Sequence, residues 1–373
     1  LPLMMGVEVE KENVSSERQA SLRPVKDTDW PEGSIDRIGA PTYAVTHESN
    51  NVTRLMNDVL KRKGGASIAK TGFEADGVSY PAGTVLIESA GDLASLAQQY
   101  SLRLRGLSAP LDVHTYKLHE ARIGLYKPWA ASMDEGWTRW VLEQYNFTYK
   151  NMDNKEIKAG KLSTDYDVIL LPDVSKEVIV EGKSKREEGE MKYFPELPAE
   201  YSGGIGKDGA KILKEFVEKG GTLVALASAC DFVIDEFNVP VNNVLARTRS
   251  EEFNCPGSLL RINIDSTHPV TYGMPETAAA FVNERIAFRT TVPGAELTRK
   301  VLAWYPADSE DILLSGWIHG ADKLERRAAA VALTYGKGKI VLLGFRVQHR
   351  AQTEGTFKLL FNALHWGGMT ESR

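Results

Sequence analysis

The 373-residue sequence contains little cysteine and no long apolar run. Its two cysteines, Cys230 and Cys255, are too few for a disulfide framework or for a cysteine-based structural zinc site. No uninterrupted apolar stretch approaches the roughly 20 residues that a membrane-spanning helix requires. We therefore expect neither a disulfide framework nor a membrane span.

The sequence also lacks an excess of one charge sign. Lys and Arg total 45 against 50 Asp and Glu, without any long basic block, so nucleic-acid binding is not expected. None of the seven histidines has a Glu three positions later, as a carboxypeptidase-type zinc site would need. A Gly-rich phosphate loop ending in Lys-Ser/Thr is missing as well. We therefore predict no metal and no cofactor in this chain.

The sequence does contain the ordinary composition of a globular protein, with 42% hydrophobic and 25% charged residues, and its length predicts about two domains. Residues 1–40 show no sustained period and are predicted to be an extended arm that continues from an upstream domain. Residues 41–120 contain a strand candidate, Thr42 to Val45, and a helix candidate, Asn51 to Lys63. They predict a small α/β domain and a linker.

Residues 121–373 alternate strand and helix patterns, which predicts a mostly parallel sheet flanked by helices. Val168 to Leu171 and Leu223 to Leu226 are continuously apolar, as expected of central strands that helices cover on both faces. Further strand candidates are Ile123 to Tyr126, Leu259 to Ile264, Ala278 to Val282, Ala328 to Leu333 and Ile340 to Phe345, and helix candidates are Asp134 to Tyr145, Ala210 to Lys219 and Thr356 to Trp366. The fold class is α/β, flavodoxin-like, preceded by the small α/β domain.

Polar and aromatic side chains follow several of these strands. Because ligands gather outside the carboxyl ends of parallel strands, we predict a ligand-binding site there. Its candidate residues are Trp129, Asp134, Glu135, Arg139, Asp173, Ser228, Arg346 and Arg350.

The same edge of the sheet contains one candidate nucleophile, a cysteine thiol. Cys230 follows a strand and precedes a helix, where a helix N-terminus and the imidazole of His349 could favour the thiolate. Two plainer interpretations stand beside it: Cys230 is a small buried apolar residue, and His349 is a loop residue with a structural or anion-contacting role. The residues alone leave these alternatives open.

Several sequence blocks together resemble a known arrangement. The blocks are RIGLYKPWAASMDEGWTRWVLEQY, LPD at Leu171 to Asp173, GGTLVAL, CPGSLL, HPVTYGMP, SGWI and GFRVQHRAQTEGTFKLLFNAL, within Arg122 to Trp366. They resemble the class I glutamine amidotransferase-like domain that follows the catalytic domain in large secreted bacterial zinc carboxypeptidase-like proteins. Upstream, Leu1 to Val9 resembles the end of the carboxypeptidase-like domain, and Tyr43 to Leu107 resembles the intervening domain.

The resemblance implies a location and a partner. The zinc-binding domain would precede Leu1, so that zinc and any peptidase activity belong to that upstream partner, and the protein would be secreted or periplasmic. An amidotransferase also implies a Cys-His-Glu triad, for which Cys230, His349 and Glu354 are the counterparts. The sequence departs from the pattern, because no Gly-flanked elbow holds Cys230 and because five positions separate His349 from Glu354.

Three hypotheses for function follow. The leading one is a non-catalytic accessory region that binds a small molecule or a peptide and contacts the upstream carboxypeptidase-like domain. The second is a hydrolase or amidotransferase with Cys230 as nucleophile, His349 as base, and Glu354 or Asp173 orienting the base. The third is a structural module that forms a homo-oligomer.

Overall fold

The protein is described by a computed structural model, which covers residues 1–7, 9–10, 13–26, 31–88, 92–109, 111–183, 198, 201–292, 294 and 297–372. Two large β-sheets and a small hairpin organise these residues. The strands are β1 (Ser34–Ile35), β2 (Thr42–Val45), β3 (Ala66–Ala69), β4 (Phe73–Ala75), β5 (Val78–Tyr80), β6 (Val85–Glu88), β7 (Arg103–Gly106), β8 (Thr115–Leu118), β9 (Ile123–Tyr126), β10 (Tyr149–Met152), β11 (Val168–Leu171), β12 (Thr222–Leu226), β13 (Val241–Asn243), β14 (Ser258–Ile264), β15 (Thr277–Val282), β16 (Phe288–Thr290), β17 (Leu297–Trp304), β18 (Leu313–Ser315), β19 (Ala328–Tyr335), β20 (Gly338–Leu343) and β21 (Met369–Ser372).

Helices cover both sheets. They are α1 (Pro2–Met5), α2 (Ser16–Gln19), α3 (Asn51–Lys61), α4 (Leu93–Gln99), α5 (Met133–Gln144), α6 (Asn154–Ala159), α7 (Leu162–Asp165), α8 (Lys176–Glu181), α9 (Gly206–Glu218), α10 (Ala229–Phe237) and α11 (Glu354–Gly367), with short 3-10 turns at Pro269–Thr271, Ser309–Asp311, Ala321–Leu324 and His349–Ala351. Within the described ranges, no helix is both long enough and apolar enough to cross a membrane.

The first sheet has the strand order β1-β7-β2-β6-β3-β8-β21. The strand predicted at Thr42 to Val45 is β2, and the predicted helix at Asn51 is α3, whose apolar stripe is buried against the sheet. Residues 1–40 contribute β1 and the one-turn helices α1 and α2, and the last strand, β21, pairs with β8. The first sheet thus takes strands from all three predicted segments, and the division into 1–40, 41–120 and 121–373 stays a prediction.

The second sheet has the order β10-β9-β11-β12-β20-β19-β17-β14-β15. Its first five strands are parallel and the remaining four are antiparallel. The strand β10, which follows β9 in the chain, lies on one side of it, and the next strand, β11, lies on the other side. The order in which strands are added to the sheet therefore reverses at β9. Such a switch point leaves a crevice outside the carboxyl ends of the strands. The α/β fold class that the sequence predicts is confirmed.

Helix α11 joins the two sheets into one core. The ring of Phe361 packs on Tyr145, at the end of α5 on the second sheet, at a centroid distance of 4.5 Å. His365 Nε2 lies 2.9 Å from Asn57 Oδ1, which belongs to α3 on the first sheet. Buried apolar side chains from both sheets form one continuous cluster. The helix is therefore buried on all sides, and any polar side chain on it must find a partner or lose hydration.

Candidate functional site

The turn between β12 and α10 is the place where a fold of this class can present a nucleophile. β12 ends at Leu226, Ala227 adopts a left-handed backbone with φ of 46°, and Ser228 precedes the helix. A sharp strand-to-helix turn of this kind exposes the side chain of its strained residue. Here that residue is alanine, whose side chain is fully buried and carries no reactive group. The elbow is therefore present without a nucleophile.

The thiol of Cys230 lies one helical turn beyond the elbow, within the core. The residue is 0% exposed, and its Sγ donates hydrogen bonds to Ala225 O at 3.4 Å and Leu343 O at 3.6 Å. Burial, followed by the charge of Asp231, raises the pKa of Cys230 well above its usual value. A reactive cysteine needs access and a lowered pKa, and Cys230 has neither.

The ring of His349 does not face this thiol as a base would. It stacks on Phe281 at a centroid distance of 3.7 Å, and its Nδ1 is buried without a hydrogen-bond partner. No hydrogen bond joins Cys230 to His349, both of which are described residues. Burial and then Arg346 lower the pKa of His349 to about 4, so the imidazole is neutral near pH 7. Glu354 begins α11, where the charge of Arg54 acts on its carboxyl group, and no hydrogen bond joins it to His349, so the predicted triad is not assembled.

A test of this geometry uses thiol accessibility. We expect Cys230 in the Cys255→Ser variant to resist a water-soluble disulfide reagent in native buffer and to react fully in denaturant. The Cys230→Ser variant is the matched control, because the Cys255 thiol is also buried and bonds Val282 O at 3.2 Å. Absorbance of the released thiolate reports the reaction. Rapid labelling of native Cys230 would show that the thiol is reachable and contradict the structure.

A different group of side chains does converge at the carboxyl ends of the strands. Arg346 follows β20, Asp134 lies in the first turn of α5 after β9, Asp173 follows β11, and Glu284 follows β15. Arg346 Nε donates to Glu284 Oε1 at 2.7 Å and lies 2.9 Å from Asp173 Oδ2, while its Nη2 lies 3.4 Å from Asp134 Oδ2. We call these four residues the Arg346 cluster. It lies at the carboxyl ends of the strands beside the switch point at β9, the edge at which open α/β sheets bind their ligands.

The electrostatics of the Arg346 cluster are those of three carboxyl groups around one guanidinium. Burial and then the charge of Asp173 raise the pKa of Glu284 to about 8, although Arg346 acts in the opposite direction. Burial and Asp173 likewise raise the pKa of Asp134 to about 6. Burial and the mutual repulsion of the carboxylates therefore favour one bound proton among the three carboxyl groups near pH 7, which leaves the cluster with a net charge of about −1.

Neighbouring polar side chains supply further acceptors. Gln348 is 2% exposed, and its Nε2 donates to Thr138 Oγ1 at 3.0 Å and to Asp134 O at 3.4 Å. Its Oε1 has no hydrogen-bond partner among the described residues, and neither has Oε1 of Glu135, a buried residue of α5. The backbone N–H of Ser228 donates to Asp173 Oδ1 at 3.0 Å. Acceptor oxygens thus outnumber donors at this edge.

The remaining predicted residues have different positions. Trp129 packs edge-on against Tyr201 at 5.3 Å, with Lys155 Nζ 5.7 Å from its ring. Arg139 lies 3.9 Å from Glu135 Oε1. Arg350 has a left-handed backbone, and its charge lowers the pKa of Asp134 and of His349. Arg139 and Arg350 thus border the site, whereas the ring contacts of Trp129 are with Tyr201 and Lys155.

Two residues at this edge of the sheet, Glu284 and Gln348, are absent from the candidates that the sequence predicts. Glu284 follows a strand of the antiparallel half, so a search of the carboxyl ends of parallel strands passes over it. Gln348 precedes His349 and Arg350, and an uncharged amide at this place in the sequence does not by itself indicate a ligand site. Asp231 accepts from Asn243 Nδ2 at 2.9 Å, and burial raises its pKa to about 6. A buried acid of this kind is recognised only once its surroundings are known.

Comparisons with known proteins give only distant structural likenesses. No family model matches the chain, and no curated protein matches it. Solved structures that resemble it include PurLQS from Thermotoga maritima. The two are 14% identical, the match covers 66% of this chain and 99% of that chain, and the TM-score is 0.42. A glutamine amidotransferase from Thermotoga maritima has 12% identity, covers 67% of this chain and 98% of itself, and gives a TM-score of 0.38. A cytoplasmic protein from Salmonella typhimurium has 14% identity, coverages of 66% and 98%, and a TM-score of 0.39. At these TM-scores no residue role is transferred from these structures.

Proposed function

We propose that this chain is a non-catalytic binding region, with an α/β amidotransferase-like sheet whose ligand site is the Arg346 cluster. The observation that supports this most strongly is the elbow after β12, where Ala227 occupies the strained position and offers only a methyl group. The nearby thiol of Cys230 is enclosed and bonded to two backbone carbonyls. A charged cluster is held at the same edge of the sheet without a nucleophile beside it.

The chemistry of the cluster favours a ligand rich in hydrogen-bond donors. Three carboxyl groups face a single guanidinium, and Oε1 of Gln348, which has no hydrogen-bond partner among the described residues, adds an acceptor. Hydroxyl or ammonium groups of a small molecule or a peptide would supply the missing donors, whereas an anion would meet a net negative charge. A small polar ligand with hydroxyl or amino groups is the class that we propose.

We further propose that the chain is an accessory region of a secreted or periplasmic zinc carboxypeptidase-like protein, whose peptidase domain is the partner. This rests on the sequence blocks between Arg122 and Trp366 and on the upstream segments that resemble the same proteins. Fractionation of a bacterium that makes the full-length protein tests the location. Recovery outside the cytoplasm is expected, and confinement to the cytoplasm would contradict it.

Catalysis is tested directly with glutamine as substrate. We expect the wild-type protein and the Cys230→Ala variant to release ammonia from glutamine at the same background rate, because neither Ala227 at the elbow nor the buried Cys230 supplies an activated nucleophile. An enzyme-coupled assay for glutamate provides the measurement. A rate above background that the Cys230→Ala substitution removes would favour the alternative function, a Cys230-dependent hydrolase or amidotransferase.

A further inference from the structure

A cleft of about 490 Å³ lies between the two sheets, at the opposite end of β20 from the Arg346 cluster. The first sheet contributes residues of β8 and β21, and the second contributes residues of β17, β20, the end of α11 and the turn before Pro269. Its lining consists of Tyr116, Thr267, His268, Pro269, Lys300, Lys339, Trp366, Met369 and Glu371. A cleft of this volume at the junction of two units is a common setting for a small ligand.

Lys339 is the cation in this cleft that forms no ion pair with a described residue, although the charge of Glu371 in the same lining acts on it. Its Nζ donates to Trp366 O at 2.7 Å and lies 4.9 Å from the Trp366 ring. Among the described residues it forms no ion pair, whereas Lys300 pairs with Asp265. Burial lowers the pKa of Lys339, which shows that the protein does not compensate the charge fully. Two N–H groups of Lys339 are therefore available to an incoming acceptor.

His268 adds a neutral donor beside this cation. Its Nδ1 accepts the backbone N–H of Val270 at 3.2 Å, which leaves the proton on Nε2. Burial, followed by the charge of Lys300, lowers the pKa of His268 to about 4, so the ring stays neutral at pH 7. The ring packs edge-on against Trp366 at a centroid distance of 4.8 Å. The tautomer and orientation of this donor are thus fixed by its neighbours.

The rest of the lining is apolar or already neutralised. Trp366, Pro269 and Met369 give an apolar wall next to the two donors. Glu371, the acidic residue of the lining, lies 3.2 Å from Lys70 Nζ and is therefore paired. The lining thus combines two hydrogen-bond donors with apolar surface.

We propose that this cleft binds a small organic anion, in which a carboxylate or phosphate group on a flat apolar body contacts Lys339 Nζ and His268 Nε2. The apolar body would pack on Trp366 and Met369, since an indole and a thioether accommodate flat apolar groups. The site is separate from the Arg346 cluster, because Lys339 lies near the amino end of β20 and Arg346 lies beyond its carboxyl end. The two sites also favour opposite ligand charges.

Calorimetric titration with four probes tests this proposal: benzoate, phenyl phosphate, inorganic phosphate and uncharged benzamide. We expect one of the two aromatic anions to bind at least about tenfold more tightly than benzamide and than inorganic phosphate, because a charge-assisted hydrogen bond and apolar contact both contribute. The stronger aromatic anion identifies the anionic group. Equal binding of benzamide, or binding of inorganic phosphate alone, would overturn the proposal.

Variants locate the binding. Lys339→Met keeps the apolar stem and is expected to weaken binding of the aromatic anion by at least about tenfold. The control is Lys337→Met, two residues away and exposed, which should leave that affinity unchanged. His268→Gln, which leaves the Lys339 side chain in place, is a second variant that should weaken binding, and it serves if Lys339→Met folds poorly. Thermal unfolding of each variant monitors folding. Wild-type affinity in folded Lys339→Met or in folded His268→Gln would contradict the assignment.

Discussion

Replacing Arg346 with alanine is expected to destabilise the protein by about 3 kcal/mol at pH 8, since removal of one partner leaves buried charges uncompensated. The guanidinium contacts Asp134, Asp173 and Glu284, whose side chains are 14%, 7% and 10% exposed. Chemical denaturation with a global probe such as circular dichroism measures the loss. Arg350→Ala is the control, because Arg350 is exposed and forms no ion pair with the described residues.

The pH dependence of this loss has a definite sign. The pKa values of Asp134 and Glu284 are raised in the folded state, to about 6 and about 8, so the stability that their protonated forms contribute is lost as pH rises through those values. The cost of Arg346→Ala should therefore be smaller at pH 5 than at pH 8. Adding Glu284→Gln to Arg346→Ala should recover part of the stability. A cost that is independent of pH would show that the cluster is not electrostatically coupled.

Replacing Lys358 with methionine is expected to stabilise the protein by about 2–4 kcal/mol at pH 7, because the substitution removes a buried, unpaired cation. Lys358 lies on α11, is 4% exposed, and its Nζ has no hydrogen-bond partner among the described residues. Burial lowers its pKa to about 7, and Glu48 opposes this only in part. Denaturant midpoints of the two proteins at pH 7 provide the measurement.

The sign of the pH dependence of this stabilisation also follows from proton linkage. Between pH 7 and pH 10 the unfolded chain keeps the Lys358 proton while the folded state has lost it, so wild-type stability should rise with pH in that window. The advantage of Lys358→Met should therefore shrink toward pH 10. Lys61→Met, on the exposed side of α3, is the matched control and should change little at either pH. A destabilised Lys358→Met protein would indicate a partner for the ammonium group.

The sequence predicts the local elements of the parallel region well. Val168 to Leu171 and Leu223 to Leu226 are adjacent parallel strands, because continuous apolar runs suit positions that helices cover on both faces. The strand β17 was not predicted, since its first half alternates exposed and half-buried residues and contains charges. β21 was not predicted either, because it is defined by pairing with β8, some 250 positions earlier. Long-range pairing leaves little local signal.

The site was predicted in part, for a physical reason. Asp134, Asp173 and Arg346 follow parallel strands, and the carboxyl ends of such strands share one edge, so their convergence could be expected. Cys230 follows the same rule in sequence, yet the chain makes its turn at Ala227 and carries the thiol inward on α10. Cys230 lies three residues beyond Ala227, and this offset places its thiol within the core instead of at the turn. Sequence spacing alone does not show which side of the turn a side chain takes.

The most direct test of a non-catalytic role is intact-protein mass spectrometry after incubation with a chloroketone analogue of glutamine, an electrophile that alkylates an activated thiol. We predict an unmodified protein under native conditions, because the Cys230 thiol is fully buried and its pKa is raised. Stoichiometric modification of Cys230 that excess glutamine prevents would show a working nucleophile next to a glutamine site and would contradict the account.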